Sequence, residues 1–147
     1  MEYRKISTLV AILLSCCASA FAHHIAIVAQ KQNSVQNLTA TELGKILKSD
    51  TRKWPNGRDI VVVINRNSTG SMELIQRLTQ LPAARAQTFV AEHKNLFVVV
   101  ESDTQVLEIV AARAGAMGIV PVRSVDSSIK VLKIDGKLPL EKRYLPD

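Results

Sequence analysis

Cysteine is almost absent from the sequence. The 147 residues include only Cys16 and Cys17, and both lie in a segment that is predicted below to be removed. The remaining chain therefore has no cysteine for a disulfide, a thiol nucleophile or a thiolate metal site. Aromatic residues make up only 4% of the chain, and its lysines and arginines are scattered. Nucleic-acid-binding surfaces combine massed basic residues with aromatics, so no nucleic-acid partner is predicted.

Long apolar runs are also absent, since none approaches the roughly 20 residues that a membrane-spanning helix needs. Two basic residues precede a short apolar run at residues 9–14, and an Ala-Phe-Ala pattern ends at Ala22. These features are typical of a secretory signal peptide. We therefore predict that residues 1–22 are cleaved off and that residues 23–147 are periplasmic or secreted, without a membrane span.

Cys16 supports an alternative interpretation of the same segment. Residues 13–16 resemble a lipobox, in which the cysteine is acylated and holds the protein on a membrane. Leu14 is unusual directly before the serine of such a motif, whereas the Ala-Phe-Ala pattern fits cleavage after Ala22 well. Cleavage after Ala22 is therefore the prediction, and lipid attachment at Cys16 is the alternative.

The size and charge of the chain limit the classes of protein to which it can belong. Residues 23–147 are long enough for one domain with a buried core, and the whole chain carries a net charge of +6. A modest positive charge on an exported protein favours anionic ligands or surfaces, or it serves solubility alone. Both interpretations stay open on charge alone.

Strand and helix patterns alternate along the chain. Thr39 and Ser102 each begin a capping-box pattern at a helix start, and the β-branched run at 60–64 is typical of a strand buried on both faces. Strands are predicted at residues 25–29, 60–64, 97–100, 117–122 and 129–134, and helices at 39–48, 70–80, 82–93 and 102–114. Pro121 indicates that its strand leaves the sheet or lies at an edge. The pattern predicts a single α/β domain with a largely parallel or mixed sheet flanked by helices.

The turn between the strand at 60–64 and the next helix has the composition of an anion site. Ligands of α/β sheets collect at the carboxyl ends of strands, where the helix start offers unpaired N–H groups. Hydroxyl donors, a glycine and a guanidinium occur together there, which suits phosphate, sulfate or a carboxylate. A simple helix cap is the alternative interpretation. The candidate oxyanion-binding residues are Arg66, Ser68, Thr69, Gly70 and Ser71.

No set of residues for catalysis or metal binding stands out. There is no Ser-His-Asp order and no metal-ligand spacing. Trp54 is interpreted as a packing residue beside a turn, and His93 as a favourable partner for a helix end. The acidic residues that do not converge in the sequence are Glu92, Glu101, Asp103 and Glu108. We therefore predict no enzyme activity, no metal and no cofactor.

Two long segments resemble one known family. NSVQNLTATELGKILKSDTRKWPNGRDIVVVINR, residues 33–66, resembles the part of phosphate-type periplasmic solute-binding proteins in which Val-x-Asn-Leu-Thr opens a helix. Trp-x-x-Gly and a strand that ends in Arg follow in both. ARAGAMGIVPVRSVDSSIKVLKIDGKLP, residues 112–139, resembles their Pro-Gly-Ala-Ile-Gly-Tyr-Val phrase and the strand after it. The resemblance implies a type II periplasmic-binding-protein-like fold.

The resemblance also implies a ligand. In these proteins an Arg-x-x-Gly-Ser-Gly-Thr loop contacts phosphate through its arginine and hydroxyl groups. Here the matching residues 66–71 are one residue shorter, with Arg66 at the arginine and Thr69, Gly70 and Ser71 at Ser-Gly-Thr. The hydroxyl groups are kept, and the shorter loop shifts Arg66 relative to the helix start. Inorganic phosphate or a similar oxyanion is therefore the expected ligand.

The chain departs from the family in length. Full members close two lobes on the ligand, whereas this chain resembles only the second lobe. A homodimer or an envelope partner protein could restore enclosure. The leading hypothesis is an exported solute-binding protein in the context of phosphate ABC uptake. The alternative is an envelope interaction module or sensory accessory module that keeps the fold of the lobe without a ligand.

Overall fold

Strands alternate with helices along residues 24–146, which are the residues that the computed structural model describes. The strands are β1 (Ile25–Ala29), β2 (Asn37–Leu38), β3 (Val61–Asn65), β4 (Phe97–Val100), β5 (Ala116–Pro121), β6 (Lys130–Val131) and β7 (Lys133–Ile134). The helices are α1 (Ala40–Leu47), α2 (Thr69–Thr79), α3 (Ala83–Glu92) and α4 (Asp103–Ala112), and a 3₁₀ turn covers Val122–Ser124. The predicted α/β class is confirmed.

The main sheet is mixed, with the strand order β4-β3-β5-β1-β6. Strands β3, β4 and β5 are parallel, whereas β1 is antiparallel to both of its neighbours. Strands β2 and β7 form a separate parallel pair. Because the parallel strands end at the same edge, this edge also holds the starts of α2 and α4.

The central strand β3 shows why the sheet has helices on both faces. All five of its residues are buried. Val62 and Ile64 pack in one core with residues of α1, α2 and α3, and Val61 and Val63 pack in a second core against α4. The prediction of a strand buried on both faces is confirmed.

The two predicted capping boxes have different outcomes. At α1 the box is complete, because the Thr39 hydroxyl accepts from the Glu42 N–H at 3.0 Å and the Glu42 carboxylate accepts from the Thr39 N–H at 2.7 Å. At α4 the Ser102 hydroxyl accepts from the Gln105 N–H at 3.2 Å. The Gln105 side chain, however, accepts from the Glu101 N–H rather than from Ser102. The second box is therefore only half formed.

Of two strand predictions, that for Pro121 holds in the first of its two alternatives, and that for residues 129–134 needs correction. Strand β5 lies in the interior of the sheet, not at an edge, and Pro121 is tolerated because it is the last residue of the strand, where the chain leaves the sheet. The single strand predicted at 129–134 is divided into β6 and β7. Leu132 lies between them, with a fully buried side chain and an N–H that donates to the Ile27 carbonyl of β1 at 2.8 Å.

The predicted signal peptide, residues 1–22, and the alternative lipid attachment at Cys16 lie outside the described residues. Between His24 and Pro146, no helix combines the length and the apolar character that crossing a membrane requires.

Tyr144 ties the C-terminal segment to the core. Its hydroxyl donates to the Leu132 carbonyl at 2.7 Å and accepts from the Ile27 N–H at 3.2 Å, and the side chain is buried. Desolvation disfavours the charged tyrosinate, and it raises the pKa of Tyr144 from 10.0 to about 12. The folded state therefore holds the proton more tightly than the unfolded state does.

Tyr144 is expected to titrate near pH 12 in the folded protein, and its contribution to stability follows from that shift. The contribution is fully present below about pH 10 and is lost as the pH rises through about 12. Ultraviolet absorbance of tyrosinate measures this directly in residues 23–147, where Tyr144 is the only tyrosine. The Tyr144→Phe variant serves as the blank, and we expect it to lose about 1–3 kcal/mol of unfolding free energy. A midpoint near pH 10 would show that the hydroxyl is not buried.

Candidate functional site

A cavity of about 260 Å³ lies at the edge of the sheet where β3 and β5 end and α2 and α4 begin. Its apolar part comes from Ile25 and Pro121, and Gly70 contributes backbone. Its polar lining comes from Asn65, Asn67, Ser68, Thr69, Asp103 and Arg123. The cavity is thus a polar recess at a helix start, in the position where ligands of open α/β sheets bind.

The structure brings together three of the five candidate residues. Ser68, Thr69 and Gly70 line the cavity, and Arg66 and Ser71 do not. Ser71 is fully buried, and its hydroxyl lies 3.3 Å from both the Ile119 carbonyl and the Ser68 hydroxyl. Its contacts therefore fix the first turn of α2 against β5.

Arg66 is engaged outside the cavity. Its Nε lies 3.1 Å from Oε1 of Glu101, and both side chains are more than half exposed. Asn67 strengthens the same link, because its amide donates to the Glu101 carbonyl oxygen at 2.8 Å. Glu101, which did not stand out in the sequence, is therefore the residue that holds Arg66 at the surface.

Helix α2 begins without a side-chain cap. Ser68 occupies the N-cap position with an extended backbone, yet its hydroxyl accepts no hydrogen bond from a helical N–H. The Thr39 and Ser102 side chains do make this bond at the starts of α1 and α4. Helix starts leave backbone N–H groups that need an acceptor. At α2 the first-turn residues Thr69 and Gly70 line the cavity, and the N-cap serine side chain supplies no acceptor to this helix start.

A buried amide holds the walls of the cavity together. The Asn65 side chain donates to Oδ1 of Asp103 at 2.9 Å and accepts from the Asn67 N–H at 2.9 Å. The other carboxylate oxygen of Asp103 accepts from the Ser124 hydroxyl at 3.0 Å. These bonds link the ends of β3 and β5 to the start of α4, so the cavity has a defined shape.

Arg123 is the residue that sequence analysis missed. It lies in the 3₁₀ turn directly after β5, is exposed and lines the cavity. Its position in the sequence could have indicated this role, because a cation just beyond a strand parallel to β3 reaches the same edge of the sheet. The charges of Arg123 and Asp103 balance, whereas the starts of α2 and α4 each add the equivalent of about half a positive charge. The cavity is therefore weakly favourable for an anion.

Comparison with known proteins identifies the fold. No protein-family model and no curated protein matches the sequence. An ABC-type phosphate transport receptor from Vibrio cholerae is 24% identical with a TM-score of 0.64, and PstS from Borrelia burgdorferi is 17% identical with a TM-score of 0.63. Each match covers 82% of this chain. The fold is that of about half of a phosphate transport receptor.

The fraction of each solved structure that this chain matches is about the fraction expected for one lobe of a two-lobed protein. The chain covers 49% of the Vibrio cholerae receptor and 50% of the Borrelia burgdorferi protein. A phosphate-binding protein from Stenotrophomonas maltophilia, 21% identical with a TM-score of 0.60, matches 80% of this chain and is covered over 40% of its own length. The chain thus spans at most half the length of these structures, and the predicted resemblance is confirmed at the level of the fold.

Proposed function

We propose that this protein is an exported solute-binding protein that binds a phosphate-like oxyanion reversibly and catalyses no reaction. The observation that carries the proposal is the uncapped start of α2, which opens into a cavity with hydroxyl groups and a cation. Helix starts with free N–H groups bind phosphate readily. The fold gives further support, since the solved structures that share it are phosphate receptors by name.

In this proposal the anion lies at the first turn of α2. The backbone N–H groups there and the hydroxyls of Ser68 and Thr69 donate to its oxygens, and the absent side chain of Gly70 makes room for Ile25, which packs against this turn. Arg123 supplies the positive charge from the turn after β5. Arg66, which the family pattern would place on the anion, stays paired with Glu101.

Binding is expected to be weak. Two or three charge-assisted hydrogen bonds give a gross gain of about 3–9 kcal/mol. Immobilisation of the anion, the open side of the cavity and the carboxylate of Asp103 offset much of that gain. Because a millimolar dissociation constant already requires about −4 kcal/mol, we expect millimolar affinity for the isolated chain. A homodimer or an envelope partner protein that covers the cavity would raise it, as uptake by a phosphate ABC transporter requires.

A variant without the two hydroxyls tests the site. We expect Ser68→Ala combined with Thr69→Ala to weaken saturable phosphate binding about tenfold, because two donors to the anion are lost. Phosphorus NMR of inorganic phosphate measures the binding. Ser34→Ala combined with Thr41→Ala removes two exposed hydroxyls elsewhere and is the matched control. Equal binding by both variants would place the anion somewhere else.

The ion pair between Arg66 and Glu101 favours a second candidate function. A lobe that binds no ligand could keep an arginine whose charge is neutralised at the surface. Such a lobe would serve as an envelope interaction module or a sensory accessory module. This alternative predicts that neither phosphate nor sulfate binds to the unmodified chain. Saturable binding of either anion at α2 would exclude it.

A further inference from the structure

A second cavity lies at the opposite end of the sheet from the oxyanion site. It has a volume of about 430 Å³ and is formed where β3 and β4 begin. Its floor is apolar and comes from Ile60, Val61, Leu96 and Val98. A volume in this range is typical of sites for small organic ligands, whose pockets are about 300–1,000 Å³.

Three cations surround this apolar floor: Arg52, Lys94 and Arg113. The side chains of Lys94 and Arg113 make no hydrogen bond or ion pair with any residue between 24 and 146. The acidic residue of the lining is Asp59, which is already bonded to Lys53 at 2.8 Å. Lys94 and Arg113 therefore lack an anionic partner among the described residues.

Helix ends explain only part of this charge. Arg113 directly follows the end of α4, and Lys94 lies two residues after the end of α3, where cations compensate the helix dipole. Each helix end is equivalent to about half a negative charge, so the two ends offset about one cation. The lining has three cations and the carboxylate of Asp59, so a surplus of about one positive charge remains.

We propose that this cavity binds a small organic anion, namely a carboxylate joined to a short apolar chain. The apolar chain covers the floor at Ile60, Leu96 and Val98, and the carboxylate is held at the rim between Lys94 and Arg113. Inorganic phosphate has no apolar part, so contact with the apolar floor does not stabilise its binding. The site shares no residue with the oxyanion site at α2 and is independent of it.

Octanoate is the probe for the test. Titrated into residues 23–147, which contain every described strand and helix, it is expected to shift the NMR signals of Ile60, Leu96 and Val98 saturably. Acetate, which has the same carboxylate without the chain, is expected to shift them far less. Arg113→Ala and Lys94→Ala are each expected to weaken octanoate binding about fivefold, the effect of one exposed ion pair.

The matched control is Arg85→Ala, which removes an exposed cation near the start of α3, away from the cavity. It is expected to leave octanoate binding unchanged, and circular dichroism confirms that each variant is folded. The proposal is overturned if octanoate gives no saturable shift at the floor. It is also overturned if acetate binds as well as octanoate, or if Arg85→Ala weakens binding as much as Arg113→Ala does.

Discussion

Replacing Arg123 with alanine is expected to weaken phosphate binding about tenfold, whereas Arg66→Ala is expected to change it less than about twofold. Arg123 is the cation that lines the cavity at α2, and its loss leaves Asp103 as the only charged side chain there. Arg66 already has a carboxylate partner in Glu101 and lies outside the cavity. One charge-assisted hydrogen bond contributes about 1.5–3 kcal/mol, and exposure of Arg123 puts its effect at the lower end.

Phosphate titrations of the two variants, followed by NMR, decide between the two arginines. Both changes remove one exposed cation, so each variant is the charge-matched control for the other. The opposite result, a loss with Arg66→Ala and none with Arg123→Ala, would mean that Arg66 leaves Glu101 when the anion binds. The role that the family pattern gives to the arginine would then hold for this chain.

Gly115→Ala is expected to lower the unfolding free energy by about 3 kcal/mol or more. Gly115 has a φ of +83°, and a Cβ atom there would lie 2.3 Å from the backbone carbonyl oxygen of Asp59. The backbone cannot move away freely, because the Gly115 carbonyl accepts from Nε1 of Trp54 at 2.9 Å and from the Val61 N–H at 3.1 Å. The substitution therefore combines strain with the loss of buried hydrogen bonds at the start of β3.

Gly136→Ala is the matched control for this prediction. Gly136 also has a positive φ, +76°, but nothing lies within 4 Å of a Cβ built on it. Only the left-handed backbone is penalised there, at a cost of about 1–2 kcal/mol. Urea unfolding of both variants separates the two effects, and equal losses would show that the carbonyl of Asp59 yields to the new methyl group.

Much of the secondary structure could be predicted because its signals are local. The Thr39 capping box and the β-branched run at 60–64 act within a few residues, and both were confirmed. The packing role of Trp54 was also confirmed, since its ring is buried and bonded to Gly115. The antiparallel direction of β1 was not predictable in this way, because it depends on pairing with β5, about 90 residues further along the chain.

The site was only partly predictable for a similar reason. The hydroxyls of Ser68 and Thr69 follow from their place at a helix start, whereas the pairing of Arg66 with Glu101 depends on where β4 ends. The burial of Ser71 had a signal that was not used. It precedes Leu74 by three residues and Ile75 by four, which places it on the buried face of α2.

The central claim is tested most directly by titrating residues 23–147 with inorganic phosphate and following every backbone amide by NMR. The account predicts saturable shifts of the amides of Ser68, Thr69, Gly70 and Ser71 and of Arg123, with a dissociation constant of about 1 mM or weaker. Sulfate is expected to compete for the same amides. No shift of the α2 amides at about 50 mM phosphate would contradict the proposed oxyanion site and leave the interaction module as the better account.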